Sequence, residues 1–260
     1  MFREFARRFE EISLELDIRK KVTIGKVVPP RPKVKKIEEF PALDNEALSA
    51  IENVWFGSDP LEKRFGEGIT RKDLLTLRGL EWLNDEVINT YLGLVCERAR
   101  QDTTLPKVYA FTTFFYTNLA QHGYNKVKRW TKKVDIFSYD ILLVPVHLGA
   151  HWCLAVIDLK LKFIHYYDSL GGSNDHCLDL LKSYLNEESI DKRKKSFEVT
   201  DWEFRNAVDI PLQMNGSDCG MFTCKFAEFA ARRAKVVFGQ KDMPYYRKRM
   251  VYEICRKRLL

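Results

Sequence analysis

Residues 139–168, YDILLVPVHLGAHWCLAVIDLKLKFIHYYD, decide the fold that this sequence predicts. They contain three short runs of branched and aromatic residues, at 139–147, 152–158 and 163–168, separated by small or charged residues. Runs of this length and composition are typical of buried β-strands. Because only residues 159–162 separate the second run from the third, we predict that these two strands form an antiparallel hairpin.

The hairpin is expected to bring a histidine and an aspartate together. Antiparallel pairing around this turn places residues whose numbers sum to about 320 opposite each other, so His151 faces residues 168–170. A carboxylate beside an imidazole fixes its tautomer and stabilises its charged form, as a general base requires. The competing carboxylate, Asp158, lies along the same strand, roughly 23 Å away at about 3.3 Å per residue. The sequence therefore predicts a pair between His151 and Asp168.

A third reactive residue stands where a glycine-containing turn meets an apolar run. The turn NGSDCG occupies residues 215–220, and the run at 221–234 predicts a buried helix. Cys219 would then lie at the helix start, where unpaired N–H groups and the helix dipole stabilise a thiolate. Gln213 lies just upstream, and its side-chain NH₂ can donate to the oxyanion that forms when a thiolate attacks a carbonyl.

Each of these residues also has a plainer interpretation. Most lone cysteines are inert core residues, and Cys219 alone combines a glycine turn with a helix start. His165 lies within a strand and is interpreted as a core residue, whereas His147 is either a bystander or a secondary ligand at the site. The other cysteines lie inside predicted helices or a strand: Cys96, Cys153, Cys177, Cys224 and Cys255.

The rest of the chain predicts helices on both sides of the strands. Apolar spacings of three and four indicate an amphipathic helix at residues 2–21, and the prolines that follow indicate a linker at 22–37. A folded domain is expected over residues 38–260. Further elements are predicted as helices at 45–55, after the caps Thr70 and Asn84, and at 173–188, with one more strand at 197–202.

Composition limits the class of protein. The chain has 260 residues, of which 45% are hydrophobic, and it lacks the roughly 18 to 20 consecutive apolar residues of a membrane span. Membrane insertion and secretion are therefore not expected. Six cysteines without a C-x-x-C pair argue against a disulfide scaffold or a zinc knuckle and favour a reducing compartment.

The net charge of +7 favours acidic partners without indicating nucleic acid. Basic runs at 192–195, 247–249 and 256–258 are interpreted as solvated faces or helix ends, because no aromatic interleaving accompanies them. No direct contact with nucleic acid is expected.

Five motifs resemble the catalytic domain of the SUMO (sentrin)-specific cysteine proteases, and the similarity is close to the vertebrate branch of that family. The resemblance covers roughly residues 38–260. The motifs follow the family's order and are WLNDE at 82–86, VKRWTKKVD at 127–135, HLGAHW at 147–152, YYDS at 166–169 and QMNGSDCGM at 213–221.

This resemblance implies an α+β, papain-like fold: a mixed, mainly antiparallel sheet packs against a central nucleophile helix, with a helical N-terminal lobe. It also implies the roles of four residues. His151 would be the general base, Asp168 would orient it, Cys219 would be the nucleophile and Gln213 the oxyanion donor. No metal or organic cofactor is implied.

The resemblance further implies a groove for the protein substrate. Trp82 and Trp152 would close over a di-glycine tail, since flat indoles can cover glycine but would collide with any larger side chain. Asp85, Phe114 and Arg129 would contact the body of the modifier.

The expected function is a monomeric SUMO-specific peptidase that acts on SUMO precursors and SUMO-conjugated proteins. One alternative is a protease for another ubiquitin-like modifier, such as NEDD8. A second is a non-catalytic module that binds such a modifier, or a basic nucleic-acid scaffold. The run PRPKVKK at 30–36 loosely suits nuclear import, so a nuclear location is expected, with the cytoplasm as a further one.

Overall fold

The computed structural model describes residues 39–66 and 68–260 of the chain. The predicted helix at 2–21 and linker at 22–37 lie outside these residues, so the domain boundary at residue 38 stays a prediction. Eight α-helices and two short 3₁₀ helices are found in the described part. The α-helices are α1 Asn45–Phe56, α2 Arg71–Leu75, α3 Asp85–Gln101, α4 Phe114–His122, α5 Tyr124–Val127, α6 Asp175–Arg193, α7 Cys219–Ala231 and α8 Met243–Cys255.

Five strands form one mixed sheet in the order β1-β2-β3-β4-β5. The two outer pairings are parallel and short, whereas the inner pairings, β2 with β3 and β3 with β4, are antiparallel and longer. Leu154 pairs with Tyr167, so the predicted hairpin register is confirmed to within one residue. The strands are β1 Val108–Ala110, β2 Ile141–His147, β3 Trp152–Asp158, β4 Phe163–Tyr167 and β5 Glu203–Asn206.

Both faces of the sheet are covered. Successive residues of β3 point to opposite faces, and they belong to two separate apolar clusters. Leu154 packs in the cluster that contains α7 and the helices α1, α3 and α8. Ala155 packs in the other cluster, with α4 and α6. A strand covered on both faces reads as a continuous apolar run, which explains the uninterrupted pattern in the sequence.

Helix α7 is the central helix of the fold. All of its residues except Ala230 are buried, including the charged residues Lys225 and Glu228. The Lys225 ammonium lies 3.3 Å from the Glu228 carboxylate and 4.3 Å from the centroid of the Tyr246 ring. The predicted α+β arrangement, with a buried helix packed on a mixed sheet, is therefore confirmed.

Several secondary-structure boundaries differ from the sequence prediction, and two of them differ by five residues or more. The strand predicted at 197–202 is wrong, because the fifth strand is Glu203–Asn206. In the preceding segment the Phe197 and Trp202 rings contact each other edge to face, with centroids 5.3 Å apart, so their apolar character serves side-chain packing. Helix α6 continues to Arg193, five residues beyond its predicted end.

The prediction of a solvated basic run at 247–249 is also wrong. Arg247 and Arg249 are each only 3% exposed, since α8 turns both side chains toward the interior. Arg247 pairs with Asp218, and Arg249 pairs with Glu253 on the same helix. A guanidinium with matched acceptors can be buried where an unpaired one cannot.

None of the helices within the described residues is both long enough and apolar enough to cross a membrane.

Because β3 is buried on both faces, we expect that shortening one of its buried side chains strongly lowers the stability of the protein. Leu154→Ala, at a fully buried position, should lower the free energy of unfolding by about 2 to 5 kcal/mol in urea. The control Leu161→Ala, at a position 59% exposed in the turn after β3, should change it by no more than about 0.5 kcal/mol. Equal effects of the two substitutions would contradict the placement of β3 at the centre of the molecule.

Candidate active site

The β3–β4 hairpin and the start of α7 position the three predicted reactive residues. His151 directly precedes β3, Asp168 directly follows β4, and Cys219 is the first residue of α7. His151 Nε2 lies 2.6 Å from Asp168 Oδ1, and both side chains are largely buried. The pair that the hairpin register predicts is thus present in the structure. Asp158 lies at the other end of β3, where its carboxylate pairs with Arg233.

The Asp168 carboxylate is held in its ionised form. Burial alone would raise its pKa, but hydrogen bonds from His151 and from the backbone N–H groups of Leu170 and Gly172 lower the pKa below its usual value. Residue 172 must approach closely, since a Cβ there would lie 2.4 Å from an Asp168 carboxylate oxygen. Glycine meets that requirement because it has no side chain.

The His151 imidazole is stabilised in its protonated form. Its hydrogen bond to Asp168, followed by those to the thiols of Cys153 and Cys219, raises its pKa well above the usual 6.5. Nε2 is the ring nitrogen that contacts the carboxylate. Asp168 therefore sets both the orientation and the charge of the ring.

Cys219 differs electrostatically from every other cysteine in the chain. Burial opposes its ionisation, but hydrogen bonds from His151 and from the backbone N–H groups of Trp152 and Gly220 lower its pKa below 9.0. All six cysteines are free thiols. Burial raises the pKa of the remaining five: Cys96, Cys153, Cys177, Cys224 and Cys255.

Gln213 is anchored at the same site by a serine that the sequence analysis did not single out. The Ser169 hydroxyl donates to Gln213 Oε1 at 2.7 Å, and Gln213 Nε2 donates to the Asn215 carbonyl at 2.6 Å. Since an amide NH₂ carries two hydrogens, one of them remains for a ligand. The sequence signal that could have identified Ser169 is its position directly after Asp168 in the YYDS motif.

Two tryptophans flank the reactive residues, with different exposures. Trp82 precedes α3 and is 51% exposed, whereas Trp152, at the start of β3, is 5% exposed. The Trp152 indole N–H donates to the carbonyl of Leu83, the neighbour of Trp82, and the His147 ring lies 4.2 Å from the Trp152 ring. His147 therefore supports Trp152 by ring packing.

The three residues predicted to contact a modifier lie at or near helix ends. Asp85 is the first residue of α3 and is partly exposed, Phe114 is the first residue of α4 and is 53% exposed, and Arg129 is exposed after α5. Their contact with a modifier stays a prediction.

Cys153 lies next to the site, although its position in the strand pattern predicted only a core residue. Its Sγ lies within 4.8 Å of a His151 ring nitrogen, and although burial raises the pKa of this thiol, hydrogen bonding to His151 and Tyr166 opposes that rise. Within residues 39–66 and 68–260, the one cluster of side chains with the spacing of metal ligands is His151, Cys153 and Asp168, whose ligand atoms lie within 4.8 Å of one another. Within this cluster, Asp168 and Cys153 are the partners that raise the pKa of the His151 imidazole.

Replacing the orienting carboxylate should change the pH dependence of the thiol. In the native protein, the thiolate with its imidazolium partner exists above the lowered pKa of Cys219 and below the raised pKa of His151. Asp168→Asn should move these two pKa values toward each other, so that alkylation of Cys219 by iodoacetamide at pH 6 slows about tenfold or more. Cys219→Ser provides the blank for labelling of other cysteines, and an unchanged profile in Asp168→Asn would contradict the assigned ion pair.

Comparison with known proteins places this geometry in a family. Residues 81–259 match the Ulp1 protease family, C-terminal catalytic domain. A sentrin-specific protease of Caenorhabditis elegans is 52% identical over 94% of this chain, and sentrin-specific protease 2 of Mus musculus is 38% identical over 94% of it. The chain spans 36% and 43% of the length of these two relatives.

Solved structures agree with the sequence relatives. The C-terminal Ulp1 protease domain, solved in complex with Smt3, the yeast ortholog of SUMO, is 31% identical. It superposes with a TM-score of 0.73 over 85% of this chain and 98% of that one. The chain therefore belongs to the Ulp1 protease family, and its fold is that of the family's C-terminal catalytic domain.

Proposed function

We propose that this chain is a SUMO-specific cysteine protease that cleaves after the C-terminal Gly-Gly of SUMO, in precursors and in isopeptide-linked conjugates. The observation that carries the proposal is the 2.6 Å His151–Asp168 pair together with Cys219, whose thiol, alone among the six, has a lowered pKa, with hydrogen bonding to His151 as a cause. The sentrin-specific proteases among its relatives, and the structural neighbour that binds Smt3, support SUMO as the modifier.

The chemistry follows from the arrangement of these groups. The Cys219 thiolate attacks the carbonyl carbon of the terminal glycine, and the oxyanion accepts hydrogen bonds from the Gln213 NH₂ and nearby backbone N–H groups. The His151 imidazolium then donates its proton to the leaving amine as the C–N bond breaks, which leaves a thioester. His151, now neutral, takes a proton from water as the water attacks, and the thiolate departs from the free carboxylate. Asp168 keeps the ring oriented throughout.

Selectivity for Gly-Gly is assigned to Trp82 and Trp152. Two indoles can close over a chain that lacks Cβ atoms, and a side chain at either glycine would separate them. Leu83 fixes their spacing, because it accepts the Trp152 N–H and contacts α7 at Gly220, where a Cβ would lie 2.9 Å from the Leu83 Cβ.

The competing functions predict different behaviour. A protease for NEDD8 or ubiquitin would keep the same chemistry with another preferred substrate, and a binding module would not form a covalent adduct with an electrophile. A nuclear location remains part of the proposal, supported by the basic run at 30–36.

The first test compares C-terminal fluorogenic reporters of SUMO, NEDD8 and ubiquitin. We expect SUMO to be cleaved with the highest kcat/KM, and Cys219→Ser to abolish cleavage while SUMO binding is retained. Cys255→Ser, which changes a half-buried thiol whose pKa is raised to about 11, is the matched control and should keep full activity. Preference for NEDD8 or ubiquitin, or turnover by Cys219→Ser, would refute the proposal.

A second test concerns the anchoring of the oxyanion donor. Ser169→Ala should lower kcat for the SUMO reporter about tenfold, because the freed Gln213 amide loses its orientation. In a Gln213→Ala background the same substitution should have little further effect. Ser173→Ala, at an exposed position nearby, is the control. Fully additive losses would show that Ser169 does not act through Gln213.

A further inference from the structure

The buried guanidinium of Arg247 joins three segments that are distant in sequence. Its Nε donates to Asp218 Oδ1 at 2.8 Å, and the guanidinium also donates to the carbonyls of Thr76, Glu81 and Ser217 at 3.2, 3.0 and 3.3 Å. The side chain is 3% exposed. A planar group with five fixed donors suits several acceptors at once, whereas a lysine presents a single point charge.

These acceptors lie next to residues of the site. Glu81 directly precedes Trp82, and Ser217 and Asp218 directly precede Cys219. Arg247 therefore connects the backbone of the Trp82 segment to the turn that carries the nucleophile, although it touches neither the thiol nor the indole in these contacts.

Asp218 occupies the N-cap position of α7 but does not cap the helix. An aspartate there ordinarily accepts from the N–H of the second or third helical residue, here Gly220 or Met221. The Gly220 N–H instead lowers the pKa of the Cys219 thiol by hydrogen bonding to it. The Asp218 carboxylate accepts no capping hydrogen bond from the helix and is held by other groups.

Three side chains hold that carboxylate. Arg247 pairs with Oδ1, while the amide nitrogens of Asn215 and Gln240 donate to Oδ2, each at 2.7 Å. Burial opposes its ionisation, but these bonds and the charge of Arg247 keep the pKa of Asp218 below its usual value. Without Arg247, a buried negative charge would stand beside the thiolate and compete for its N–H donors.

We propose that Arg247 is a positioning residue for thiol catalysis: it turns the Asp218 carboxylate away from the start of α7 and ties the Trp82 segment to the nucleophile turn. The other ionisable groups at the thiol are His151, with Asp168 and Cys153 behind it. The inference rests on the proposed function where kcat/KM for the SUMO reporter is measured. The alkylation of Cys219 can be measured without SUMO.

Arg249 offers a matched control on the same helix. It is buried to the same extent and pairs with Glu253, but its backbone acceptors are the carbonyls of Glu39 and Leu260, which lie beside no residue of the site. Arg249→Met thus removes an equally buried guanidinium without changing the surroundings of Cys219.

The thiol experiment measures iodoacetamide alkylation of Cys219 against pH, together with the urea midpoint of each variant. Arg247→Met should slow alkylation at pH 6 about tenfold, because the thiol pKa rises and less thiolate is present at that pH. Arg249→Met should lower the urea midpoint and leave the alkylation profile unchanged. Adding Asp218→Asn to Arg247→Met removes the uncompensated carboxylate, and it should return the profile to within twofold of the native one.

Three results would overturn the inference: a native alkylation profile in folded Arg247→Met, the same shift in Arg249→Met, or no recovery in the double variant. If Arg247→Met does not fold, Arg247→Lys takes its place in the test. Lysine retains the positive charge but cannot reach all four acceptors. It should keep the alkylation profile within twofold and lower kcat/KM for the SUMO reporter about tenfold. Native kcat/KM in Arg247→Lys would contradict the positioning role, and absent SUMO cleavage by the native protein would refute only the proposed function.

Discussion

The antiparallel pairing of β3 with β4 is the constraint on which the site depends. It places His151 and Asp168 at the same end of the hairpin, with His151 Nε2 and Asp168 Oδ1 2.6 Å apart. One face of β3 packs against the cluster that contains α7, so the same strand also locates Cys219. A one-residue slip would turn each β3 side chain to the opposite face, and the apolar clusters on both faces oppose such a slip.

Hydrogen bonds and ion pairs offset the cost of burying charged groups at the site. Burial disfavours the charged forms of Asp168, His151 and Cys219, but each has hydrogen-bonding partners that outweigh this cost. The same principle operates directly upstream, where the Asp218 carboxylate faces Arg247. In a largely buried region each charge needs a partner of opposite sign, because an unpaired buried charge is costly. The paired arrangement of these groups is therefore the most stable one. The arrangement therefore supports a thiolate at the buried start of α7.

The residues that sequence analysis located were those with a local signal. Cys219 stands in a glycine turn before an apolar run, and the short turn at 159–162 specifies the register that joins His151 to Asp168. Residues without such a signal were missed or misread. Cys153 follows the strand pattern and yet contacts His151, and Arg247 belongs to a basic run and yet is buried. The apolar character at 197–202 arises from ring packing rather than from a strand, which periodicity does not distinguish.

Local signals in the sequence predicted most of the helices, the register of the central hairpin and the candidate site residues, because helix starts, strand periodicity and short turns depend on neighbours within a few positions. The packed structure was needed to show that burial raises the pKa of the other five thiols, how Gln213 is anchored and which groups hold Asp218. Arg247 shows the reason, since its carbonyl acceptors at Thr76 and Glu81 lie 171 and 166 residues away in the chain. Desolvation and multiple hydrogen bonds act through space, so they exist only once the helices have packed.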